Sequence, residues 1–284
     1  MDEMSSSGLS NHPTQRTDGS ILMIGHRDDE SLFEAVPDLV GVTGLQLEAL
    51  TDGDLFMEGP GRDGSWRISR LRVQIMRPGA TTWEDLQLVN ATADFSEAKQ
   101  MLPRPKDYVP QSVAPQPGAA GAGPPAGAPA ATVPVGPVAH LIDGDEYSAW
   151  RADRGHLLRH QPAVAVVQFE RPLDLPSGTR LKIALKWSGG KSRAGMLGCC
   201  RISLTKSPAP AAPPIDHAAI LAAQKPVAER SDADRADIFA AWRKTIPEAA
   251  ALNERIAAAW ARMPKAPTSV LHMASRSAAQ HRPT

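Results

Sequence analysis

The middle of the chain alternates between apolar and polar residues, which is the two-residue period of a β-strand. Residues 41–50 show this most clearly, because the polar Gln46 and Glu48 stand between apolar neighbours. The pattern predicts a half-buried strand with one face in water. Further strands are predicted in residues 20–24, 31–36, 66–76, 84–91, 138–142, 163–169, 180–187 and 197–205. Many short strands separated by turn residues are typical of an all-β sandwich or a jelly roll.

Beyond the last of these strands the apolar period lengthens to that of helices. A short helix is predicted over residues 215–224. Ser231 is a suitable N-cap, and acids follow it in the first turn, so a helix is predicted from there to about Thr245. A second helix begins at Pro247, where proline is tolerated in the first turn. So short a connection predicts an αα-hairpin.

Both helices of this predicted hairpin carry an apolar stripe. The first stripe holds Ile238, Phe239, Trp242 and Ile246, and the second holds Leu252, Ile256, Trp260 and Met263. Stripes of this kind usually face a core. We therefore expect Trp242 and Trp260 to be buried, with a surface for a partner as the alternative.

Proline and glycine are concentrated in one segment. Residues 103–137 hold 10 of the 26 Pro and 5 of the 22 Gly in the chain. This segment lacks large apolar side chains, and each proline removes a backbone donor that a sheet would need. A flexible Pro/Ala/Gly-rich insert is predicted there.

The charge of the chain is balanced, with 31 Lys+Arg and 31 Asp+Glu. This balance argues against nucleic acid as the main partner, since binding to its backbone requires a basic face. No apolar run approaches the ~18 residues of a membrane helix, and residues 1–20 lack the hydrophobic segment of a signal peptide. We expect neither a nucleic-acid partner nor a membrane span, and the compartment is left open.

The two cysteines, Cys199 and Cys200, are adjacent. They provide neither the paired spacing of a zinc site nor the C-x-x-C-H motif that attaches haem. Neighbouring side chains of a strand point to opposite faces. One buried and one outward thiol are therefore expected, with a strained bond between the two as the alternative.

The best candidate site is the acidic turn at Asp143 and Asp145, close to Trp150. Carboxylate and carbonyl oxygens that converge in a tight loop suit Ca²⁺. Asp143 and Asp145 are therefore predicted to hold a structural calcium ion, and the three residues together are predicted to bind ligand. The alternative is a turn closed by Asx hydrogen bonds beside a packed indole.

The sequence contains no recognisable catalytic constellation. His156 and His160 have the spacing of a zinc protease but lack the glutamate of H-E-x-x-H, which favours two surface histidines. No Ser/His/Asp or Cys/His set has a supporting local context such as the G-x-S-x-G elbow. We therefore expect a protein that is not an enzyme and that has no cofactor other than the possible calcium.

Several segments taken together resemble a known family. These are GLQLEAL at 44–50, GPGR at 59–62, ATADFS at 91–96, LIDGD at 141–145, GCCRISLT at 198–205 and MPKAPTSVLHM at 263–273. In this order they are similar to motifs of the large planctomycete-type proteins that join a c-type cytochrome domain to domains of unknown function. The chain departs from that family at Cys199 and Cys200, where the family has Arg-Phe, and it lacks the haem domain.

The resemblance implies a galactose-binding-like jelly roll followed by a helical connector, in an exported or periplasmic protein. It implies a non-catalytic binding or scaffold module that recognises carbohydrate or docks neighbouring domains. One alternative is an accessory segment of a multidomain redox or hydrolytic enzyme whose catalytic and haem domains are not in this chain. Another is a gene remnant that folds poorly.

The resemblance also sets the expected domain boundaries, because it places the segments on both sides of the insert in one sandwich. Residues 1–17 are expected to be a disordered N-terminus and 18–206 a β-sandwich, with 103–137 as a surface loop inside it. Residues 207–264 are expected to form the helical connector and 265–284 an irregular tail.

Overall fold

Strands form most of the regular structure before residue 206. The computed structural model describes residues 3–6, 13–24, 29–62, 64–103, 132–155, 159–187 and 195–262. The strands are β1 (Glu3–Ser6), β2 (Pro13–Gln15), β3 (Ile21–Met23), β4 (Glu30–Ala35), β5 (Leu39–Ala49), β6 (Ile68–Met76), β7 (Glu84–Asp85), β8 (Leu88–Ala93), β9 (Gln100–Pro103), β10 (Thr132–Gly136), β11 (Ala149–Trp150), β12 (Ala163–Leu175), β13 (Arg180–Trp187) and β14 (Cys199–Thr205).

The strands form two sheets. Sheet A has the order β1-β4-β13-β6-β11-β10-β9, with β7 paired to β6 as well. Sheet B has the order β2-β3-β14-β5-β12-β8. The named neighbours pair antiparallel except β10 and β11, which are parallel. The chain passes from one sheet to the other between β1 and β2, β3 and β4, β4 and β5, β5 and β6, β7 and β8, and β8 and β9, and again at each step from β11 to β14.

One continuous apolar core draws its side chains from both sheets. Leu45 and Leu47 of β5 contribute from sheet B, and Val73 and Ile75 of β6 contribute from sheet A; all four are fully buried. In β6 these residues alternate with more exposed ones, as the two-residue period predicts. The mainly β prediction is confirmed.

Three helices follow the sheets, which confirms the predicted helical C-terminal region. They are α1 (His217–Gln224), α2 (Asp232–Lys244) and α3 (Ala250–Ala261). The predicted N-cap is present: Ser231 Oγ accepts from the Asp234 N–H at 3.1 Å, while the Asp234 carboxylate accepts from the Ser231 N–H at 2.8 Å. This reciprocal capping box fixes the start of α2.

The packing of the helices differs from the predicted hairpin of α2 and α3. α2 lies mainly against α1, whereas α3 makes few contacts with α2. Consequently Trp242 of α2 is 56% exposed and Trp260 of α3 is 48% exposed. The expectation that both indoles are core was wrong, because no element within the described ranges covers either indole. No helix there is long and apolar enough to cross a membrane.

Three further local expectations differ from the structure. Residues 138–142, predicted as a strand, form the 3₁₀ turn Val138–Leu141. The segment 1–17, expected to be disordered, contains β1 and β2, which pair with β4 and β3. The proline-rich insert begins at the last residue of β9, and β10 lies near its other end; these two strands are an antiparallel pair in sheet A. The rest of the insert (104–131) and the predicted tail (265–284) lie outside the described residues.

Candidate functional site

The acidic turn predicted as a calcium and ligand site is closed by its own hydrogen bonds. Asp143 Oδ1 accepts from the Asp145 N–H at 2.9 Å. Asp143 Oδ2 lies 2.7 Å from His140 Nδ1 and accepts from Ser148 Oγ at 2.7 Å. Asp145 Oδ1 accepts from the Tyr147 N–H at 2.9 Å. These are the bonds of an Asx-type turn, so both carboxylates have partners inside the loop.

The third predicted residue, Trp150, is fully buried in β11. Its ring lies edge-on to that of Trp66, with 4.9 Å between the ring centroids, and its Nε1 donates to the carbonyl of Phe95 at 3.4 Å. Trp150 therefore packs in the core beside the turn and does not reach the surface.

The described ranges contain no group of three or more His, Cys, Asp and Glu side chains that could hold a metal ion. Calcium also takes backbone and water oxygens, so a calcium ion at Asp143 and Asp145 stays a prediction. The geometry of the turn and of Trp150 corresponds to the alternative given above, an Asx turn beside a packed indole.

The face of sheet B that points away from the core is crossed by residues 207–224, which we call the covering segment. Three side chains of the sheet hold its backbone. Thr43 Oγ1 donates to the carbonyl of Ser207 at 2.6 Å, and Gln168 Nε2 donates to that of Pro210 at 2.9 Å. Thr92 Oγ1 accepts from the Ala212 N–H at 2.8 Å. The covering segment is thus attached to β5, β12 and β8.

A buried charged cluster anchors α1, the last part of the covering segment. Glu48 of β5 binds Arg201 of β14 through two hydrogen bonds of 2.6 and 2.7 Å. Its Oε1 also lies 2.8 Å from Nε2 of His217, and the Glu48 and His217 side chains are each 3% exposed. Glu48 was expected on a face in water. That expectation was wrong, because α1 covers this end of the face.

The pKa of Glu48 reflects these contacts. Burial by itself raises the pKa of a carboxyl group. The hydrogen bonds from Arg201 and His217, together with their charges, outweigh that effect and lower the pKa of Glu48 to about 2. Glu48 is therefore ionised at every physiological pH.

A second buried ion pair lies at the start of α1. Asp94 Oδ2 accepts from the His217 N–H at 3.0 Å and from Arg154 Nη2 at 2.5 Å. The Asp94 side chain is fully buried and that of Arg154 is 6% exposed. Two ion pairs from the sandwich therefore converge on the first residue of the helix.

Between the covering segment and sheet B lies an open groove, which we call the sheet B groove. It consists of a cavity of about 360 Å³ beside α1 and one of about 520 Å³ beside residues 207–211, and Gln46 and Ser203 line both. Its other polar lining residues include Thr205, Ser207, Gln224 and the Glu48–Arg201 pair. Its apolar walls come from valine, isoleucine and proline side chains such as Val164, Val166, Ile220, Pro208, Pro210 and Pro213.

The groove has little net charge. Its acid, Glu48, is paired with both Arg201 and His217, and the remaining polar side chains are amides and hydroxyls that both donate and accept. A neutral ligand rich in hydroxyl or amide groups matches such a lining.

Both thiols are buried, which corrects the expectation of one outward thiol. Cys200 points into the main core, and Cys199 lies on the opposite face with Leu22, Leu50 and Leu55. The alternation of the strand was correct, but both of its faces are covered here. Both cysteines are free. Burial raises the pKa of Cys199 to about 11 and that of Cys200 further still.

His160, expected on the surface, is half-buried. It packs against Gly59, and its ring centroid lies 6.3 Å from that of Phe56. Burial and the charge of Arg159 lower the pKa of His160. His156 lies outside the described residues.

Sequence reasoning missed the sheet B groove. Gln46 was assigned correctly to the polar face of its strand, but nothing in a strand pattern shows what crosses that face. The one available signal was the proline-rich run at 208–214, which is too short and too extended to be a helix. No family model, curated protein or solved structure matches the chain.

Proposed function

We propose that the chain is a non-catalytic binding module that takes a neutral, hydroxyl-rich ligand, such as an oligosaccharide, in the sheet B groove. The observation that carries the proposal is the set of neutral amide and hydroxyl side chains that line that groove. Gln46, Ser203 and Gln224 offer amide and hydroxyl groups to a ligand. Sugars present hydroxyl groups that both donate and accept, so such side chains complement them.

The strand order supports a jelly roll, the finer part of the fold prediction. The outgoing strands β4, β5, β6 and β8 alternate between sheets A and B. The returning strand β12 lies between β5 and β8, and β13 lies between β4 and β6. This insertion of returning strands between outgoing ones is the arrangement of a two-sheet jelly roll.

The pairing of Glu48 with Arg201 supports a neutral ligand over a charged one. An ionic ligand would have to compete with a bidentate, buried ion pair, and breaking such a pair is costly. A neutral ligand leaves the pair intact and needs only the surrounding amide and hydroxyl groups.

Affinity electrophoresis through gels that contain soluble polysaccharides tests this proposal. The unmodified chain should be retarded by at least one polysaccharide. The double variant Gln46→Ala with Ser203→Ala should lose that retardation, because it removes two hydrogen-bonding groups from the point where the two cavities meet. Gln74→Ala in β6 of sheet A is the matched control and should be retarded normally.

Two results contradict the proposal. One is that no polysaccharide of a broad panel, with β-glucans, xylans, mannans, pectins and galactans, retards the unmodified chain. The other is that the double variant is retarded as strongly as the control. Repeating the gels with Ca²⁺ and with a chelator separates any effect of calcium at Asp143 and Asp145 from binding in the groove.

The planctomycete-type resemblance and the accessory-segment alternative stay predictions. A haem motif of the form C-x-x-C-H encoded next to this chain would favour the accessory segment. In that case we expect the groove to hold the polymer on which the attached catalytic domain acts.

A further inference from the structure

α2 presents an apolar surface beside the sandwich. Val227, Ile238, Phe239 and Trp242 form it together with Arg230 and Arg235, and we call these six residues the α2 surface. They enclose a cavity of about 320 Å³. Val227 is 70% exposed, and Phe239 and Trp242 are each 56% exposed. Exposed large side chains that cluster in this way mark interaction surfaces.

The α2 surface rests on a helix that is held firmly in place. The capping box at Ser231 fixes its first turn. Lys225 Nζ lies 2.7 Å from the Asp234 carboxylate, and Lys244 Nζ lies 2.5 Å from that of Asp216. These contacts join both ends of α2 to residues that flank α1. A partner would therefore meet a preformed surface, which lowers the entropic cost of binding.

The charged groups of this surface are basic. The guanidinium of Arg230 is oriented by hydrogen bonds to the carbonyls of Ala223 (2.7 Å) and Lys225 (3.1 Å). Within the described residues no carboxylate lies at ion-pair distance from it. Arg235 pairs with the exposed Asp232 at 3.0 Å. An oriented guanidinium without a carboxylate, at the rim of an apolar cavity, complements a partner that brings both an apolar side chain and an acid.

We propose that the α2 surface binds an acidic amphipathic helix of another protein. The apolar side chains of that helix fill the cavity between Val227, Phe239 and Trp242. Its carboxylates pair with Arg230 and, after displacement of Asp232, with Arg235. The recognition is of the helix-in-groove kind, with aromatic residues as the main anchors.

Two synthetic probes test the proposal with the full chain. Both are fluorescein-labelled 16-residue helical peptides with the same leucine stripe on an alanine background; one has glutamate and the other lysine at the polar positions. Fluorescence anisotropy at low salt should show that the glutamate peptide binds at least ~10-fold more tightly than the lysine peptide. The arginines of the α2 surface attract the glutamates and repel the lysines.

Three variants assign the binding to this surface. Trp242→Ala should weaken binding of the glutamate peptide at least ~30-fold, as for an aromatic anchor. Phe239→Ala removes a second aromatic side chain from the wall of the same cavity. Arg230→Gln should remove most of the difference between the two peptides. Trp260→Ala is the matched control, since it removes an indole of similar exposure from α3 and should leave binding unchanged.

The proposal is overturned by results of any of three kinds. The first is that neither peptide binds up to about 1 mM, the range of non-specific contacts. The second is equal binding of the two peptides, or equal binding by Trp242→Ala and Trp260→Ala. The third is concentration-dependent dimerisation in sedimentation that Trp242→Ala abolishes, which would make a second copy of the chain the occupant.

Discussion

His217 Nε2 lies 2.8 Å from Oε1 of Glu48, and this contact joins α1 to the outer face of sheet B. Arg201 holds both oxygens of the same carboxylate from the other side. The three side chains come from β5, β14 and α1, so the cluster links elements far apart in the sequence. It forms one end of the sheet B groove, and its stability decides whether that end stays in place.

We expect Glu48→Gln to lower the free energy of unfolding by roughly 3 kcal/mol at pH 7, because the substitution removes the charge that Arg201 and His217 surround. Urea denaturation of the variant and the unmodified chain measures the difference. Asp85→Asn is the matched control: the Arg72–Asp85 pair is also bidentate but about half exposed, and exposed pairs contribute about 0–1 kcal/mol.

The loss caused by Glu48→Gln depends on pH in a direction that the pKa of Glu48 sets. That pKa is about 2 in the folded chain and about 4.5 without the folded environment. The stabilisation from the Glu48 carboxylate is therefore complete above about pH 4.5 and is lost as the pH falls through about 2. The two unfolding free energies should converge over that interval. A difference that stays constant down to pH 2 would contradict the assignment.

The strand pattern predicted the position of Glu48 correctly and its environment wrongly. Alternation shows which side chains share a face, but it contains no information about a segment from elsewhere in the chain that covers the face. The expectation of one outward thiol was wrong for the same reason, because the face that holds Cys199 is also covered. The opposite error occurred at Trp242. The amphipathic stripe predicted a buried indole, and the structure leaves that indole exposed. Most strands and the helices were thus predictable, whereas the groove, built by long-range contacts, was not.

The burial of both cysteines predicts low thiol reactivity. Only the thiolate reacts with Ellman's reagent, and burial both raises the pKa of Cys199 and Cys200 and blocks access. At pH 8 we expect no rapid reaction in the folded chain and two equivalents of reaction in guanidinium chloride. If one thiol reacted rapidly without denaturant, the loop residues over Cys199 would have to open readily. If fewer than two equivalents of thiol reacted in guanidinium chloride, the two cysteines would be bonded to each other.

Asp143→Ala should destabilise the chain by about 1–3 kcal/mol with or without calcium, because it removes the carboxylate that accepts from Ser148 Oγ and from the Asp145 N–H. Thermal melts in Ca²⁺ and in chelator measure both effects. If Asp143 and Asp145 hold a structural ion, Ca²⁺ should raise the Tm of the unmodified chain, and the variant should not respond. Gly144→Ala is the control for the loop backbone, since it keeps both carboxylates while straining a residue at φ +78°.

Gly44→Ala should displace the covering segment from sheet B. A Cβ at this position would lie 2.7 Å from the carbonyl oxygen of Val167 and 2.8 Å from Cγ of Pro210. The carbonyl belongs to β12, which is held between β5 and β8 and cannot move away, so we expect a loss of about 1–3 kcal/mol of unfolding free energy. We also expect faster limited proteolysis between residues 207 and 214.

Pro210→Ala separates the two contacts of Gly44. Pro210→Ala alone removes only the proline ring, so it should lower the free energy of unfolding less than Gly44→Ala does. Combined with Gly44→Ala it relieves the clash with the covering segment but not the one with Val167, so the double variant should regain protease resistance while staying less stable than the unmodified chain. If the groove binds polysaccharide, Gly44→Ala should weaken gel retardation and the double variant should recover part of it. Equal proteolysis of all three variants would mean that the covering segment is not held at Gly44.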